Sequence, residues 1–278
     1  MPIPSVDVSG QLMLTVKQQF CNIKRNRSLV FALAFRDLTS KYAGTLGGWV
    51  WALALPLATV VIFYFVFVVG FKAQGSGTAP YILWFICGLV PWLFFAETLP
   101  AMTNTITSNA PLVKKTIFPT EILPLVHLIS GLVPHGIFLL ILAGMIAFFK
   151  VPFVADRLLV IYFLACSCAL LISLGWMLSA LQVFYRDISH GLAIVINMLF
   201  WITPIAWPQD IMPAEYRALF SYNPVHYIVE GYRGLLIYNT VVWPSAGATA
   251  YFWGITALVF TLGSYVFRRL KPEFADVL

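Results

Sequence analysis

The chain has 278 residues, of which 60% are hydrophobic, 16% are aromatic and only 10% are charged, with a net charge of +6. A soluble domain carries about a quarter charged residues, because water must wet its surface. So few charges exclude an ordinary soluble enzyme and predict an integral membrane protein. The excess of Lys and Arg does not indicate a nucleic-acid partner, because the basic residues stand at the ends of apolar segments.

The first 48 residues are predicted to form a cytoplasmic and interfacial region before the first span. Between residues 31 and 42, apolar side chains recur at helical spacing and polar side chains fill the other arc. This pattern favours a helix lying in the membrane interface over a surface helix of a small cytoplasmic cap, because an apolar run begins soon after it. The apolar stripe is Phe31, Phe35, Leu38 and Tyr42, and the polar arc is Arg36, Asp37, Ser40 and Lys41.

Six apolar segments are each long enough to cross the bilayer, which takes roughly 20 helical residues. Prolines inside several of them predict kinked helices whose freed carbonyls are satisfied by neighbouring helices. Basic residues are more frequent on the side that carries both termini, which predicts that both termini are cytoplasmic. We therefore expect one all-α transmembrane domain over residues 1–278, with spans at 49–71, 81–103, 122–149, 158–183, 190–207 and 249–267.

Residues 208–248 precede the last span and are rich in Pro, Tyr and charge. The first half of this stretch is too polar to span a membrane. Residues 224–238 are predicted to form a short helix that is half-inserted from the outer face. The whole stretch is therefore predicted to be an extracytoplasmic, re-entrant element.

The sequence contains no G-x-x-x-x-G-K-[ST], G-x-S-x-G or H-E-x-x-H motif and no aspartate cluster for a metal. Without a phosphate loop, the energy for transport against a gradient must come from elsewhere. Polar residues at membrane depth are functional candidates by default, although a kinked backbone or a helix end also explains each of them. They are Glu97, His127, His135 and Gln182.

Aromatic residues are frequent where the spans end. Interfacial belts account for most Trp and Tyr residues at such positions. A path for sugars would also use aromatic faces, because the C–H faces of sugar rings stack on them. Composition leaves both explanations open.

Three cytoplasmic connections are predicted contact points for a partner, although their basic residues are also explained by anchoring to anionic lipid. The first is the interfacial helix. The second is the segment 104–121, where Ser108 or Asn109 is expected to cap a short helix that begins at Pro111. The third is the YRDIS segment at residues 185–189.

Four stretches stand in a characteristic order, with six spans between them: FRDLTSKYAGTLGGWVWALALPL, NAPLVKKTIFPTEILPL, VFYRDISHGLAIVINMLFWITPIAWP and YNPVHYIVEGYRGLL. Together they resemble the membrane subunit of type-2 ABC exporters of polysaccharides. This family includes permeases for O-antigen, capsule and teichoic acid. The resemblance covers nearly the whole chain, and it is specific for the permease group rather than for one glycan.

The resemblance implies a transporter subunit in a bacterial inner membrane, not an enzyme. It implies a homodimer with two copies of a separate ATP-binding subunit, which would bind ATP and Mg²⁺, so that this chain would bind no cofactor or metal. The expected substrate is a lipid-linked polysaccharide, with O-antigen as the preferred candidate. The conducting path would run between the two protomers, bordered by the first, second and fifth spans.

The resemblance also implies roles for particular residues. Residues 31–42 would lie beside the ATP-binding subunit, and residues 110–119 would form the coupling helix. The residues expected to transmit closure of the ATPase are Arg36, Asp37, Lys41, Lys114, Lys115, Phe118, Arg186 and Asp187. The candidates for the wall of the path are Tyr64, Phe67, Trp92 and Phe200. The candidates for an outer gate are Tyr222, Glu230 and Arg233, and the last two are spaced to form an i, i+3 pair.

Three alternatives remain at this point. The first is an ABC exporter of another substrate. The second is a membrane-embedded enzyme acting on polyprenyl-linked sugars, which needs acidic residues near the membrane surface, whereas the acids here are scattered singly. The third is a proton-coupled carrier, which is disfavoured by the lack of buried carboxylate pairs and of an inverted repeat.

Overall fold

The computed structural model describes residues 25–42, 50–72, 80–115, 118–152, 155–220, 222–237 and 243–278. In those residues every regular element is a helix and there is no strand, as the all-α prediction requires. The helices in chain order are α1 (Arg27–Tyr42), α2 (Val50–Phe63, continued by a π-helical segment, Tyr64–Gly70), α3 (Tyr81–Thr103), α4 (Thr105–Ser108), α5 (Ala110–Lys115), α6 (Leu123–Phe148), α7 (Val160–Phe184), α8 (Ile188–Ile202), α9 (Ala214–Phe220), α10 (Pro224–Leu236), α11 (Ala246–Leu270) and α12 (Phe274–Val277).

Four helical segments in the described part of the chain are long and apolar enough to cross a bilayer. They are Tyr81–Thr103, Thr120–Phe148, Ala155–Phe184 and Ala246–Val277. Two shorter apolar helices, Leu57–Gly70 and Ile188–Ile202, correspond to the predicted first and fifth spans. The chain is therefore a multi-pass membrane protein, and the crossing of the two shorter helices stays a prediction.

The predicted fifth span ends earlier than the apolar run suggests. Helix α8 stops at Ile202, whereas the apolar run continues to residue 207. Pro204 and Pro208 lack the N–H groups that a continuing helix would need, and Thr203 has extended backbone angles. Residues 203–207 therefore form a non-helical segment directly after the helix.

Helix α3 is the centre of the bundle, because most of its side chains are buried against α6, α7 and α10. Helices α7 and α11 form a second close pair. At Gly263 a Cβ atom would lie only 2.7 Å from the carbonyl oxygen of Ser173, so only glycine permits this approach of the two backbones. Membrane helices are held together by such close packing rather than by hydrophobic burial.

Helix α1 packs along α6. The side chains that it buries, Val30, Ala34 and Leu38, recur every four residues, while Phe31 and Phe35 are 62% and 70% exposed. The predicted apolar stripe is thus divided, because Leu38 turns toward α6 and the two phenylalanines stay outside. The side chain of Tyr42, the last member of the stripe, lies outside the described residues. The rotation follows from Asp37, which reaches toward polar groups of α6. The interfacial placement of this helix stays a prediction.

Candidate functional site

The predicted coupling segment forms two short helices, α4 and α5. Helix α5 begins at Ala110, one residue before the expected start. The Nδ2 of Asn109 donates to the carbonyl of Thr105 at 2.8 Å and so serves the end of α4. The predicted capping of α5 by Ser108 or Asn109 stays a prediction. Residues 116–117 and the side chain of Lys115 lie outside the described residues. We call residues 104–122 the coupling loop.

The predicted coupling residues of this loop differ in their surroundings. Lys114 is exposed, whereas Phe118 is half-buried and packs against two hydrophobic clusters. One is the main core; the other, which we call the second cluster, lies where the coupling loop meets the ends of α7 and α11. The buried members of the second cluster are Ile106, Leu123, Trp176, Ala180, Val183, Phe267 and Phe274.

Asp37 attaches α1 to α6. Its Oδ2 accepts a hydrogen bond from Ser130 Oγ at 2.6 Å and lies 3.3 Å from His127 Nδ1 and 3.8 Å from Lys41 Nζ. Burial raises the pKa of the Asp37 carboxyl, but the nearby His127, the hydrogen bond from Ser130 and the charge of Lys41 outweigh burial and hold the pKa below its ordinary value. Asp37 therefore stays ionised and holds the helix in place.

Arg36 lies beside Asp37 but is exposed. It borders a cleft of about 490 Å³ between α1 and the coupling loop, whose polar lining includes Ser40, Asn104 and Thr105. The structure thus brings α1 and the coupling loop together at one end of the bundle. Residues of both predicted coupling elements therefore line this one cleft.

The turn between α7 and α8 presents Arg186 and Asp187 to the outside, and both are exposed. Gln182 organises the turn from within: its Oε1 accepts from the backbone N–H of Ser189 at 2.9 Å, and its Nε2 donates to the carbonyl of Arg186 at 3.2 Å. The buried amide of Gln182 therefore satisfies a helix end, which is the plainer of the two explanations open from the sequence.

The predicted pair in the outer element is present: Arg233 Nη1 donates to Glu230 Oε1 at 2.7 Å. Arg233 is fully buried and makes further contacts across the bundle. Its Nη1 and Nη2 donate, each at 2.7 Å, to the carbonyls of Pro204 and Ile205 respectively, and its guanidinium lies 3.6 Å from the ring centre of Trp84. A buried cation is tolerated when it is paired and fully hydrogen-bonded, as here.

Arg233 thereby joins three parts of the chain: α10, α3 and the non-helical segment after α8. Two more hydrogen bonds hold that segment, from Tyr81 Oη to the carbonyl of Ala206 at 2.5 Å and from Asn223 Nδ2 to Thr203 Oγ1 at 2.7 Å. The carbonyls of Pro204, Ile205 and Ala206, in this non-helical segment, are therefore satisfied by side chains. Sequence reasoning missed these partners, although the two prolines after α8 indicate a broken helix.

Helix α10 is held by the bundle on its other side as well. His135 Nε2 lies 3.0 Å from Tyr232 Oη, and both side chains are buried. Tyr222, the third predicted gate residue, is exposed, and its carbonyl accepts a hydrogen bond from Tyr251 Oη of α11 at 3.0 Å. The gate role of these residues stays a prediction.

Three of the four predicted wall residues lie in one aromatic cluster. The ring centres of Trp92 and Phe200 are 5.7 Å apart, and Phe67 stacks on Tyr81 at the same distance. Phe63, which sequence reasoning missed, connects them, because its ring centre lies 5.7 Å from those of both Phe67 and Phe200. Trp92 is only 4% exposed and therefore supports the cluster from behind, whereas Tyr64 stands exposed on the same helical segment as Phe67.

Asn197 is a further polar residue that sequence reasoning missed. It lies in the apolar helix α8 and is exposed, four residues before the exposed Trp201 and so on the same face. An amide exposed to lipid is costly, so the predicted crossing of α8 would place this stripe against a polar environment rather than against lipid.

Comparison with known proteins gives one family and several full-length relatives. The family model described as ABC-2 type transporter matches residues 11–237. The chain is similar to the O-antigen export system permease protein RfbA of Klebsiella pneumoniae, with 26% identity over 275 residues that cover 95% of this chain and 100% of the relative. A second Klebsiella pneumoniae protein of that name is 28% identical, and one from Myxococcus xanthus is 23% identical, each covering 90% of this chain and 95% of the relative.

Proposed function

We propose that this chain, which belongs to the ABC-2 type transporter family, exports a lipid-linked O-antigen polysaccharide. As a member of that family, the chain is the membrane subunit of an ABC transporter and works with a nucleotide-binding ATPase subunit. The observation that carries this substrate class is the similarity to O-antigen permeases along nearly the whole of both chains. A similarity of that extent includes the coupling loop, the helices and the outer element together.

The proposed assembly is a homodimer with two copies of the ATPase subunit in a bacterial inner membrane. All six apolar helices cross the bilayer, α2 and α8 with the help of flanking residues, and both termini are cytoplasmic. In this orientation the cleft between α1 and the coupling loop opens to the cytoplasm, where the ATPase binds. The basic residues Arg36, Lys114 and Arg186 are exposed at that end and are available to the partner.

The proposed path lies between the two protomers, along α2 and α8. Tyr64, Phe200 and Trp201 supply aromatic faces there, and Asn197 supplies an amide that can exchange hydrogen bonds with sugar hydroxyls. Such a surface contacts each sugar weakly, because stacking and single hydrogen bonds are reversible. A long polymer can therefore advance stepwise without a tight site at which it would stop.

In the proposed mechanism, the ATPase subunits bind ATP and Mg²⁺ and close, and closure moves the two coupling loops. The motion passes into α6, which follows the loop, and into α7, against which the loop packs, and it opens the path between the protomers. At the outer end α10, held by Arg233 and Glu230, acts as the gate that must shift to let the polymer out. The energy comes from the partner, in keeping with the absence of a phosphate-loop motif in this sequence.

The test is complementation of a bacterial strain that lacks its own O-antigen permease but retains the matching ATPase. Expression of this chain restores O-antigen at the cell surface, and the chain co-purifies with an ATPase whose activity rises with lipid-linked O-antigen. Restored export of a capsule or teichoic acid, but not of O-antigen, would reassign the substrate. An ATPase that never co-purifies would contradict the assembly.

A further inference from the structure

The C-terminal segment, residues 271–278, folds back against the coupling loop. Phe274 is buried, and its ring centre lies 5.5 Å from that of Phe267 in α11 and 6.3 Å from that of Phe184 in α7. Helix α12, which carries Phe274, also contacts α5 of the coupling loop. The C-terminus thus closes the second cluster, which the coupling loop enters from the other side through Val113 and Phe118.

An ion pair joins the same two parts. Lys271 Nζ donates to Glu121 Oε2 at 2.5 Å, and the Glu121 side chain is only 4% exposed. The backbone of Glu121 is held as well, because its carbonyl accepts from Trp176 Nε1 of α7 at 3.1 Å. A nearly buried carboxylate interacts strongly with a cation beside it, because water screens such a pair weakly.

We propose that Lys271 and Phe274 are positioning residues for the coupling loop, and that the C-terminal segment makes this loop move as one body with α7 and α11. The proposal rests on the proposed function, because it describes how the push of the ATPase reaches the spans. The ion pair and the ring of Phe274 add two contacts to the end of the coupling loop, beside its continuation into α6 and the Trp176 hydrogen bond.

The packing of α7 and α11 makes them suitable to receive this push. Their backbones approach closely at Gly263 and Ser173, where a Cβ atom on residue 263 would lie only 2.7 Å from the Ser173 carbonyl oxygen. A displacement of the second cluster therefore moves both helices together rather than loosening them. Helix α7 leads directly into the α7–α8 turn, so the motion continues into α8 on the proposed path.

The test measures export and ATP hydrolysis in the assembled complex of this chain with its ATPase. Lys271→Glu and Glu121→Lys each leave two like charges facing one another, and the double exchange restores the pair. We expect each single change to lower the amount of O-antigen exported per ATP hydrolysed by about two- to tenfold, and the double exchange to recover most of it. Arg269→Glu, the same charge change on an exposed side chain two residues earlier, leaves the ratio unchanged.

A purely structural role would lower the amount of complex without changing export per ATP. The proposal is therefore overturned if the single variants keep the parental ratio, or if the double exchange is as impaired as they are. Where a charge reversal prevents assembly, Lys271→Met and Phe274→Leu are measured in the same way, and an unchanged ratio in both overturns the proposal. If the unaltered chain exports no O-antigen, the proposed function fails; the stimulation of the ATPase by this chain then replaces export as the readout for the same variants.

Discussion

Arg233 and Trp84 lie in different helices, and the guanidinium of Arg233 covers the ring of Trp84 at 3.6 Å while its nitrogens bind the backbone after α8. One side chain thus fixes the position of α10 relative to both the centre of the bundle and the broken helix. Replacement of Arg233 should therefore destabilise the protein more than replacement of an exposed arginine.

Replacement of Arg233 by Met is expected to destabilise the protein by about 3–5 kcal/mol, because Glu230 and two backbone carbonyls lose their donor in a buried site. Arg233→Lys restores the charge but neither the two-pronged geometry nor the stacking, and recovers only part of the loss. Thermal unfolding of the purified protein in detergent measures both variants. Arg269→Lys, at an exposed position of α11, serves as the control and shifts the midpoint little; an equally small shift for Arg233→Met would contradict the anchoring role.

Gly88→Ala tests the same arrangement from the side of α3. The new Cβ would lie 2.5 Å from Arg233 Nη2, so the guanidinium must leave its partners. We expect a cost of about 1–3 kcal/mol, as for other overpacked interiors. Gly144→Ala is the matched control, because a Cβ atom added there would have no neighbour within 4 Å. Equal unfolding midpoints for the two alanine variants would show that Arg233 is free to move.

The contact between Asp37 and α6 predicts a pH dependence. The folded-state pKa of Asp37 lies below its ordinary value of 3.8, so its contribution is fully present above that value and is lost as the pH falls through the folded-state pKa. Asp37→Asn should therefore lower the free energy of unfolding by about 1–2 kcal/mol at neutral pH, with the difference shrinking in acid below about pH 4. Asp156→Asn, at an exposed position before α7 begins at Val160, is the control. A difference that grows in acid would refute the assignment.

Asn197→Leu tests whether α8 faces the path. The substitution removes an amide from the proposed wall without disturbing the core, so export of O-antigen should fall several-fold while the amount of assembled complex and its basal ATP hydrolysis stay unchanged. Met198→Leu, a change at the adjacent exposed residue that removes no polar group, should have no effect. Normal export by Asn197→Leu would remove this stripe from the path.

The spans follow from local properties of the chain, which is why the apolar run at residues 81–103 predicted α3 with the bounds that the structure has. The pair of Glu230 and Arg233 was also predictable, because both residues lie on one helix at a fixed spacing. The carbonyl partners of Arg233 were not, since they lie 28 and 29 residues away and depend on how the helices pack. The same holds for Lys271 and Glu121, which are 150 residues apart.

The orientation of α1 shows a different limit of prediction from the sequence. Its sequence carries an apolar stripe and a polar arc, and amphipathicity alone places every charge on the outside. Asp37 departs from that rule because Ser130 and His127 offer it partners on a helix almost a hundred residues later. A polar contact of that kind has no periodicity and leaves no trace in the pattern of either segment.

The hydrogen bonds of Arg233 to Pro204 and Ile205 also bear on how the membrane stays sealed. A broken helix in a bilayer commonly recruits water to its open carbonyls, and a file of such waters conducts protons. Here the guanidinium of Arg233 supplies fixed donors to two of those carbonyls instead. In the proposed assembly, an exporter at rest could thereby keep a discontinuous helix in the membrane without a water file through which protons would leak.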